Sequence, residues 1–319
     1  MKSYRKAFAA AFCAVCGLVL AFVSAGCEQS TSDDKTQSQA VSDNAATKDE
    51  VDAPAGLAAL GLDPTALDIY PEVTHDTYHE AGFQLDPPQD GDTIAVIHTT
   101  MGDLTLRFFP DLAPKTVTNF INLAQDGKYN NTTFHQVIAD FGIQGGHCGD
   151  SADSPNGLSS YGGQFEDEFC DSLFNIRGAV SMANTAKDSN GSQFFINQTD
   201  ADAFKKNGGW SAYEDIWEDV KTQLHNYKDS NLLSAFIEKN GDRFINTEII
   251  PSEVKTLYDI IGGNPNLDGV FNAADRGNTV FAQVIDGMDV VDKIARVKVN
   301  KKNVPSKNVV ITSIDIKTY

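Results

Sequence analysis

Short runs of apolar and β-branched residues recur along the chain from Thr93 onward, and they predict a series of short β-strands. The runs TIAVIHTT and DLTLRFF are separated by Met101-Gly102, an arrangement that predicts a hairpin. The run NVVITSIDIKTY, at the end of the sequence, predicts a closing strand. Three more strands are predicted at 179–182, 193–197 and 279–285.

Two segments instead repeat apolar residues every three to four positions, which is the pattern of an amphipathic helix. In APKTVTNFINLAQDG the residues Val117, Phe120, Ile121 and Ala124 share one face, and Gly127 follows as a C-cap. The second segment is GMDVVDKIA. Many short strands with only two framework helices predict a mainly β fold, a closed barrel capped at its ends.

Between Asn197 and Asn266 the pattern becomes helical and predicts an inserted α-helical subdomain at about 200–262. Apolar stripes at this spacing usually form a helix core rather than a cofactor site. The three stripes are Tyr213, Ile216, Trp217, Val220, Leu224 and Tyr227; Leu232, Leu233, Phe236 and Ile237; and Val254, Leu257, Tyr258 and Ile261.

The chain begins with the pattern of an exported lipoprotein. Three basic residues among the first six precede an uncharged apolar run, which predicts a secretory signal in residues 1–26. The ending Ser-Ala-Gly-Cys resembles a bacterial lipobox with Cys27 as the acylated residue, although Ser24 stands where Leu is usual. An ordinary signal peptide and an uncleaved membrane anchor are the alternatives. We expect an extracytoplasmic protein attached to the bacterial cell membrane by lipid on Cys27.

The next residues contain few large apolar side chains. Residues 27–52 cannot bury a core and are predicted to be a disordered tether, and residues 53–90 an N-terminal extension on the surface of a domain at 91–319. His75 and His79 have a spacing that suits two metal ligands on one helix face. No third ligand is evident, so surface histidines are favoured and neither metal nor cofactor is predicted.

The chain is acidic, with 44 Asp and Glu against 25 Lys and Arg and a net charge of −19. This charge argues against a nucleic-acid-binding protein and against electrostatic docking on anionic lipid. It favours a soluble acidic surface, and we expect a monomer. Cys148 and Cys170 remain beyond the signal and Cys27. An exported protein can pair two such cysteines, and the sequence leaves this disulfide open.

Three segments carry a family resemblance: TFHQVIADFGIQGG at 133–146, SMANTAKDSNGSQFFI at 181–196, and NLDGVFNAADRGNTVFAQVIDGMDVVDKI at 266–294. Together they resemble the cyclophilin family of peptidyl-prolyl isomerases, over about residues 91–198 and 264–319. The resemblance implies an eight-stranded antiparallel barrel with two capping helices. It also implies that the partners are proline-containing polypeptides, here unfolded or folding exported proteins.

Proline isomerisation requires a pocket and a hydrogen-bond donor rather than a nucleophile or a metal. The barrier is the lost amide resonance, ~18–20 kcal/mol. A donor aimed at the proline nitrogen acts only when the amide is twisted, so it lowers the barrier instead of only tightening binding. The resemblance assigns catalytic roles to Gln136, Phe141, Gln144 and Asn184. It assigns substrate binding to Gly142, Ala183, Gln193, Phe195, Leu267, Asn266 and Asn278.

Five positions depart from the family pattern. Gln136 stands where the family has the arginine that donates to the proline nitrogen. Gly142 stands where the family has a pocket methionine, so one wall is expected to be missing and the pocket to be wider there. Asn266 replaces the rim tryptophan, Asn278 is the nearest match to the rim histidine, and His147 replaces an acid. The leading hypothesis is an isomerase of reduced activity that acts on exported proteins. The alternatives are a catalytically weak proline-peptide binding module or chaperone, with the insertion as its interaction surface, and a structural envelope protein.

Overall fold

The structure, a computed structural model, describes residues 73–149, 155–226, 235–237 and 239–319. The predicted signal, the tether, Cys27 and the first part of the extension lie outside these residues, as do Tyr227, Leu232 and Leu233 of the predicted stripes.

Ten strands and five α-helices are described below by their bounds, and residues 235–237 and 239–240 are helical as well. The strands are β1 (Val73–Thr74), β2 (Thr93–Thr99), β3 (Gly102–Phe108), β4 (Gln136–Ile138), β5 (Gly142–Gly145), β6 (Phe169–Cys170), β7 (Ala179–Met182), β8 (Phe194–Asn197), β9 (Val280–Asp286) and β10 (Ile311–Thr318). The helices are α1 (Pro114–Gln125), α2 (Ala201–Lys206), α3 (Gly209–Asn226), α4 (Ser252–Ile261) and α5 (Met288–Ala295).

Among the described residues, eight strands form one antiparallel sheet in the order β10-β2-β3-β9-β7-β8-β5-β4. The chain just before β4 pairs with the start of β10, at the opposite end of this order. Thr133 forms a bridge with Val310, and the Phe134 N–H donates to the Val309 carbonyl at 2.9 Å. The sheet therefore closes into a barrel, which confirms the predicted mainly β architecture.

The barrel core consists of alternate strand residues together with one face of α1 and one face of α5. Phe120 of α1 contacts the rings of Phe108, Phe194 and Phe281 at centroid distances of 5.4 to 5.6 Å. Val291 of α5 is fully buried in the same cluster. Each such side chain stabilises the fold by about 1.5–3 kcal/mol on burial. The two framework helices predicted from the periodicity are confirmed as the caps.

The start of α1 is closed by a carboxylate from a distant part of the chain. Glu168 accepts from the N–H groups of Lys115 and Thr116 at 3.1 and 2.8 Å, and from the Thr116 hydroxyl at 2.8 Å. A negative charge at a helix N-terminus satisfies open N–H groups and complements the helix dipole. This contact fixes α1 to the segment directly before β6.

The described part of the N-terminal extension is fastened to the barrel. Strand β1 pairs in parallel with β6. Gln84 is fully buried, and its amide bonds both main-chain groups of Phe174, at 3.0 and 2.7 Å. The extension is thus partly internal instead of lying only on the surface. His75 bonds Asp171 and His79 bonds Asp76, and the described residues contain no cluster of three potential metal ligands.

The interval of the predicted insertion holds α2, α3 and α4. Trp217, Val220 and Leu224 of α3 form a second apolar cluster with Phe244 and with Ala273, which lies beyond the insertion. Helical periodicity predicted these faces because each one buries a stripe. No helix among the described residues is both long and apolar enough to span a membrane.

Cys148 and Cys170 are separate free thiols, so the disulfide that the sequence left open is not formed in the structure. The Cys148 thiol bonds the Lys128 carbonyl at 3.3 Å, and the Cys170 thiol lies 3.3 Å from the Ser172 hydroxyl. Burial raises the pKa of Cys148 and raises that of Cys170 to about 11. Both thiols therefore remain protonated near neutral pH.

Candidate active site

Three predicted site residues form a row across neighbouring strands. Gln136 of β4 pairs with Gln144 of β5, and Gln144 pairs with Phe195 of β8. The adjoining row of Val137, Ile143 and Ile196 faces the barrel core. Because successive strand residues point to opposite faces, the row with the two glutamines and Phe195 lies on the outer face of the barrel.

An apolar cluster adjoins this row, at the positions that the resemblance assigns to the proline pocket. Ala183, Phe195 and Leu267 are buried in one cluster, and the half-buried ring of Phe141 packs against it. These residues come from segments far apart in the sequence and form a cluster separate from the barrel core. The pocket has the apolar character that a proline ring requires.

The helical insertion supports one wall of this pocket. Leu267 ends a 3-10 turn, Pro265–Leu267. The residues on either side of Leu267 in the sequence accept hydrogen bonds from two tyrosines of the insertion. The Tyr213 hydroxyl on α3 donates to Asn266 Oδ1 at 3.1 Å, and the Tyr258 hydroxyl on α4 donates to Asp268 Oδ2 at 2.5 Å. Asn266 is buried, so it does not form a rim as predicted.

Asp268, the residue directly after this turn, has a buried carboxyl group. Its Oδ1 accepts from the main-chain N–H and the side-chain amide of Asn175, at 2.7 and 3.0 Å. Burial raises the pKa of Asp268 to about 7, although the bonds from Tyr258 and Asn175 act in the opposite direction. Loss of solvation outweighs three donors here because the site is closed to water.

Gln144 and Gln193 are hydrogen-bonded to each other. Gln144 Nε2 donates to Gln193 Oε1 at 2.9 Å, and Gln193 Nε2 lies 2.8 Å from His147 Nδ1 and 2.7 Å from the Pro155 carbonyl oxygen. The sequence predicted Gln144 and Gln193 as site residues but gave no sign of this link. The three contacts of Gln193 hold its amide in one orientation.

The side chain of Asn184 is occupied by internal bonds. Its Nδ2 donates to Asp167 Oδ1 and to the Gly277 carbonyl, both at 3.0 Å, and its Oδ1 accepts from Asn278 at 3.2 Å. Its main-chain N–H and C=O bond no other described residue. The amide of Asn278 also bonds the Met182 carbonyl, so Asn278 is buried and supports Asn184.

Burial raises the pKa of Asp167 to about 6, against the opposing effect of bonds from the Asp188 N–H, Asn190 and Asn184. Asp167 therefore loses its proton in the same pH range as an ordinary histidine.

The family model that matches this chain is the cyclophilin-type peptidyl-prolyl cis-trans isomerase/CLD model, over residues 94–217 and 244–316. The match covers more than half of the chain, including the whole row and the pocket. This chain belongs to the cyclophilin-type peptidyl-prolyl cis-trans isomerase family.

Curated relatives of this cyclophilin include a Staphylococcus aureus protein (strain USA300) named "Putative peptidyl-prolyl cis-trans isomerase". The two are 37% identical over 228 residues, which is 72% of this chain and 93% of the relative. A Staphylococcus epidermidis protein with the same name has the same identity and coverage.

A crystal structure of a Cryptosporidium parvum cyclophilin-type isomerase matches with a TM-score of 0.45 and 24% identity, over 72% of this chain and 99% of that one. The same parasite protein has also been solved in the presence of the dipeptide Ala-Pro.

Gly142 does not leave a gap in the wall of this cyclophilin. A Cβ atom at that position would lie 2.9 Å from the main-chain oxygen of Ile196 on the next strand. Because the obstacle is backbone, any side chain here would force the two strands apart. The prediction of a wider pocket at Gly142 is therefore wrong, since a close strand contact occupies the space.

Asn264 is a site residue that the sequence did not indicate. Its Nδ2 donates to the Phe141 carbonyl at 3.1 Å and to Asn197 Oδ1 at 2.7 Å, and its Oδ1 accepts from Thr199 at 2.9 Å. It thus holds the backbone of Phe141 in the cyclophilin pocket. A polar residue after Gly262-Gly263 indicates only the end of a helix, so no signal pointed to this role.

Proposed function

We propose that this cyclophilin isomerises Xaa-Pro bonds of exported proteins on the outer side of the bacterial cell membrane, with reduced activity. The observation that carries the proposal is the row of Gln136, Gln144 and Phe195 beside the apolar pocket. The pocket holds the proline ring, and Gln144 binds the peptide backbone beside it. The Gln136 amide then donates to the proline nitrogen as the bond twists.

The reduced rate follows from the charge of the donor. A glutamine amide donates a neutral hydrogen bond, whereas a guanidinium donates a charge-assisted bond that is roughly twice as strong. The stabilisation reserved for the twisted state is correspondingly smaller. An NMR exchange assay on a Xaa-Pro peptide tests the activity. A rate equal to the uncatalysed one would contradict it.

The place of action is supported by the signal-like residues 1–26 and by the lipobox-like sequence that ends at Cys27. Lipid on Cys27 would keep the domain at the membrane surface. We expect fatty-acid labelling of the protein in bacterial cells, and we expect Cys27→Ser to abolish it and to release the protein from the membrane fraction. Labelling that survives Cys27→Ser would refute the lipid anchor.

Two adjacent phenylalanines provide a matched test of the pocket. Phe195 belongs to the pocket, whereas Phe194 lies in the barrel core against Tyr129 and Phe134. We expect Phe195→Leu to weaken binding of a proline peptide by about tenfold, because part of the aromatic contact is lost. We expect Phe194→Leu to lower the unfolding temperature and leave the affinity unchanged. Equal affinities for both variants would mean that the proline ring binds elsewhere.

The alternative is a proline-peptide binding module or chaperone with little turnover, and the neutral donor Gln136 favours it. This module would bind a Xaa-Pro peptide, lose binding in Phe195→Leu, and leave the exchange rate at the uncatalysed value. Binding and rate measured on the same peptide therefore separate the two functions.

A further inference from the structure

The amide of Gln193 links the pocket to His147. It lies between Gln144 on one side and His147 with the Pro155 carbonyl on the other. These groups form a continuous chain of hydrogen bonds from the pocket to the imidazole ring.

The Pro155 carbonyl fixes the direction of every bond in this chain. A carbonyl oxygen only accepts, so the atom of the Gln193 amide that faces it must be the NH2 nitrogen. The same nitrogen lies beside His147 Nδ1, which must therefore accept. His147 is then neutral with its proton on Nε2, and the oxygen of Gln193 faces Gln144.

This direction decides which polar group Gln144 presents to a ligand. One N–H of Gln144 is used on Gln193, and its Oε1 is buried without a partner among the residues that the structure describes. The group left for a ligand is the second N–H. An amide bond before proline has no N–H, so its carbonyl oxygen is its polar group and requires a donor.

We propose that His147 is a positioning residue that acts through Gln193 to keep an N–H of Gln144 directed at the substrate carbonyl. The inference rests on the proposed function, since it concerns the same pocket and peptide. The acid that the family has at this position also accepts hydrogen bonds when ionised. A histidine differs because it accepts only while neutral.

Protonation of His147 would place a second donor against the NH2 group of Gln193. The conflict is relieved when both amides rotate, so that His147 donates to Gln193 Oε1 and Gln193 Nε2 donates to Gln144 Oε1. This rotation gives up the bond from Gln193 to the Pro155 carbonyl, a neutral bond that the charge-assisted bond from the imidazolium outweighs. The NH2 group of Gln144 then takes the buried side, and the pocket loses its donor. We therefore expect peptide affinity to fall when His147 becomes protonated at acidic pH.

The neighbouring groups allow this change to be assigned. The His135 ring lies 6.5 Å from that of His147 and also hydrogen-bonds Gln193. Burial lowers the pKa of His135, although its hydrogen bonds with the Thr133 main chain and with Gln193 act in the opposite direction. Cys148 is a neutral thiol, and the adjacent charged side chain is that of Lys128. Asp167 titrates in a similar range, but its partners are Asn184, Asn190 and the Asp188 N–H. A variant of His147 therefore separates the two titrations.

The test measures the dissociation constant of the peptide Ala-Ala-Pro-Phe with the full-length protein at about pH 7.5 and about pH 5.5. We expect about tenfold weaker binding at the lower pH, the equivalent of one hydrogen bond. His147→Asn places an amide oxygen near the position of Nδ1 and does not titrate, so at both pH values it should bind as the unchanged protein does at about pH 7.5. His147→Leu should bind weakly at both. His79→Asn, on the surface, is the control.

A full pH dependence in His147→Asn, or unchanged affinity in His147→Leu, would overturn the inference. A second measurement needs no ligand, because nitrogen-15 shifts of His147 report its tautomer. A proton on Nδ1 at neutral pH would also overturn the inference. If the tautomer and the affinities are as expected but the protein does not accelerate isomerisation, the result counts against the proposed enzyme activity and leaves the role of His147 standing. Absence of peptide binding by the unchanged protein would overturn both proposals.

Discussion

Replacing Gln136 with arginine is expected to raise kcat/KM for a Xaa-Pro peptide by about a hundredfold. A single donor aimed at developing charge is worth about 10²–10³ in rate, and the charged guanidinium donates more strongly than the amide. Gln136 is half-buried and pairs with Gln144 in the row beside the pocket, so its side chain starts from the place that the reaction requires. NMR exchange on the free peptide and on the two proteins measures the gain.

Two further variants define what the gain at position 136 means. Gln136→Met has a similar length and no donor, so the rate should fall below that of the unchanged protein. Gln136→Lys adds charge without the planar fork and should give an intermediate rate. If arginine is no faster than glutamine while the peptide still binds, the proline nitrogen is not approached from this strand.

The second large effect concerns stability, and Asp268→Asn is expected to increase it at neutral and higher pH. Burial raises the pKa of Asp268 from 3.8 to about 7, which corresponds to about 4 kcal/mol against the ionised folded state. Asn keeps an oxygen for the two Asn175 donors and cannot ionise. Urea unfolding at about pH 5 and about pH 8 measures the difference.

The sign follows from which state releases its proton first. Between about pH 4 and pH 7 the unfolded chain has lost the Asp268 proton while the folded chain keeps it, so the free energy of unfolding falls as pH rises. Asp268→Asn should remove this fall in the free energy of unfolding. The smaller fall caused by Asp167, which ends near pH 6, should remain.

Asp289→Asn is the matched control for this titration. Asp289 is exposed on α5, and its pKa is lowered by the hydrogen bond from Lys293. We expect this variant to leave the fall above about pH 4 unchanged. A slope that is the same in Asp268→Asn and in the unchanged protein would show that Asp268 is solvated.

The framework of the barrel could be predicted from the sequence because its elements have a regular pattern. Strands β2 and β3 alternate, α1 repeats every three to four residues, and each pattern reflects one buried face. The row of Gln136, Gln144 and Phe195 could also be predicted, because long segments of the sequence match the family pattern. These features depend on residues that are close in the sequence or on long continuous segments that match the family.

The supporting residues could not be predicted, because periodicity shows which face is buried but not which distant residue covers it. Tyr213 and Tyr258 were assigned correctly to helix cores, yet their hydroxyl groups bond the turn that carries Leu267. Asn264 belongs to no repeating apolar pattern, so periodicity gives no information about it. Gly142 was misinterpreted because the loss of a side chain suggests empty space, whereas a neighbouring backbone fills it.

The closure of the barrel has a consequence for how the protein is made. Strand β10 (Ile311–Thr318) is made long after β2, and it pairs along the whole of β2 near the start of the domain. Until β10 leaves the ribosome, β2 has a row of unpaired N–H and C=O groups that other chains can bind. Local pieces such as the β2–β3 hairpin can form early, but the barrel waits for the last strand. A chain that ends before Ile311 should therefore aggregate during synthesis, even though every residue of the pocket is present.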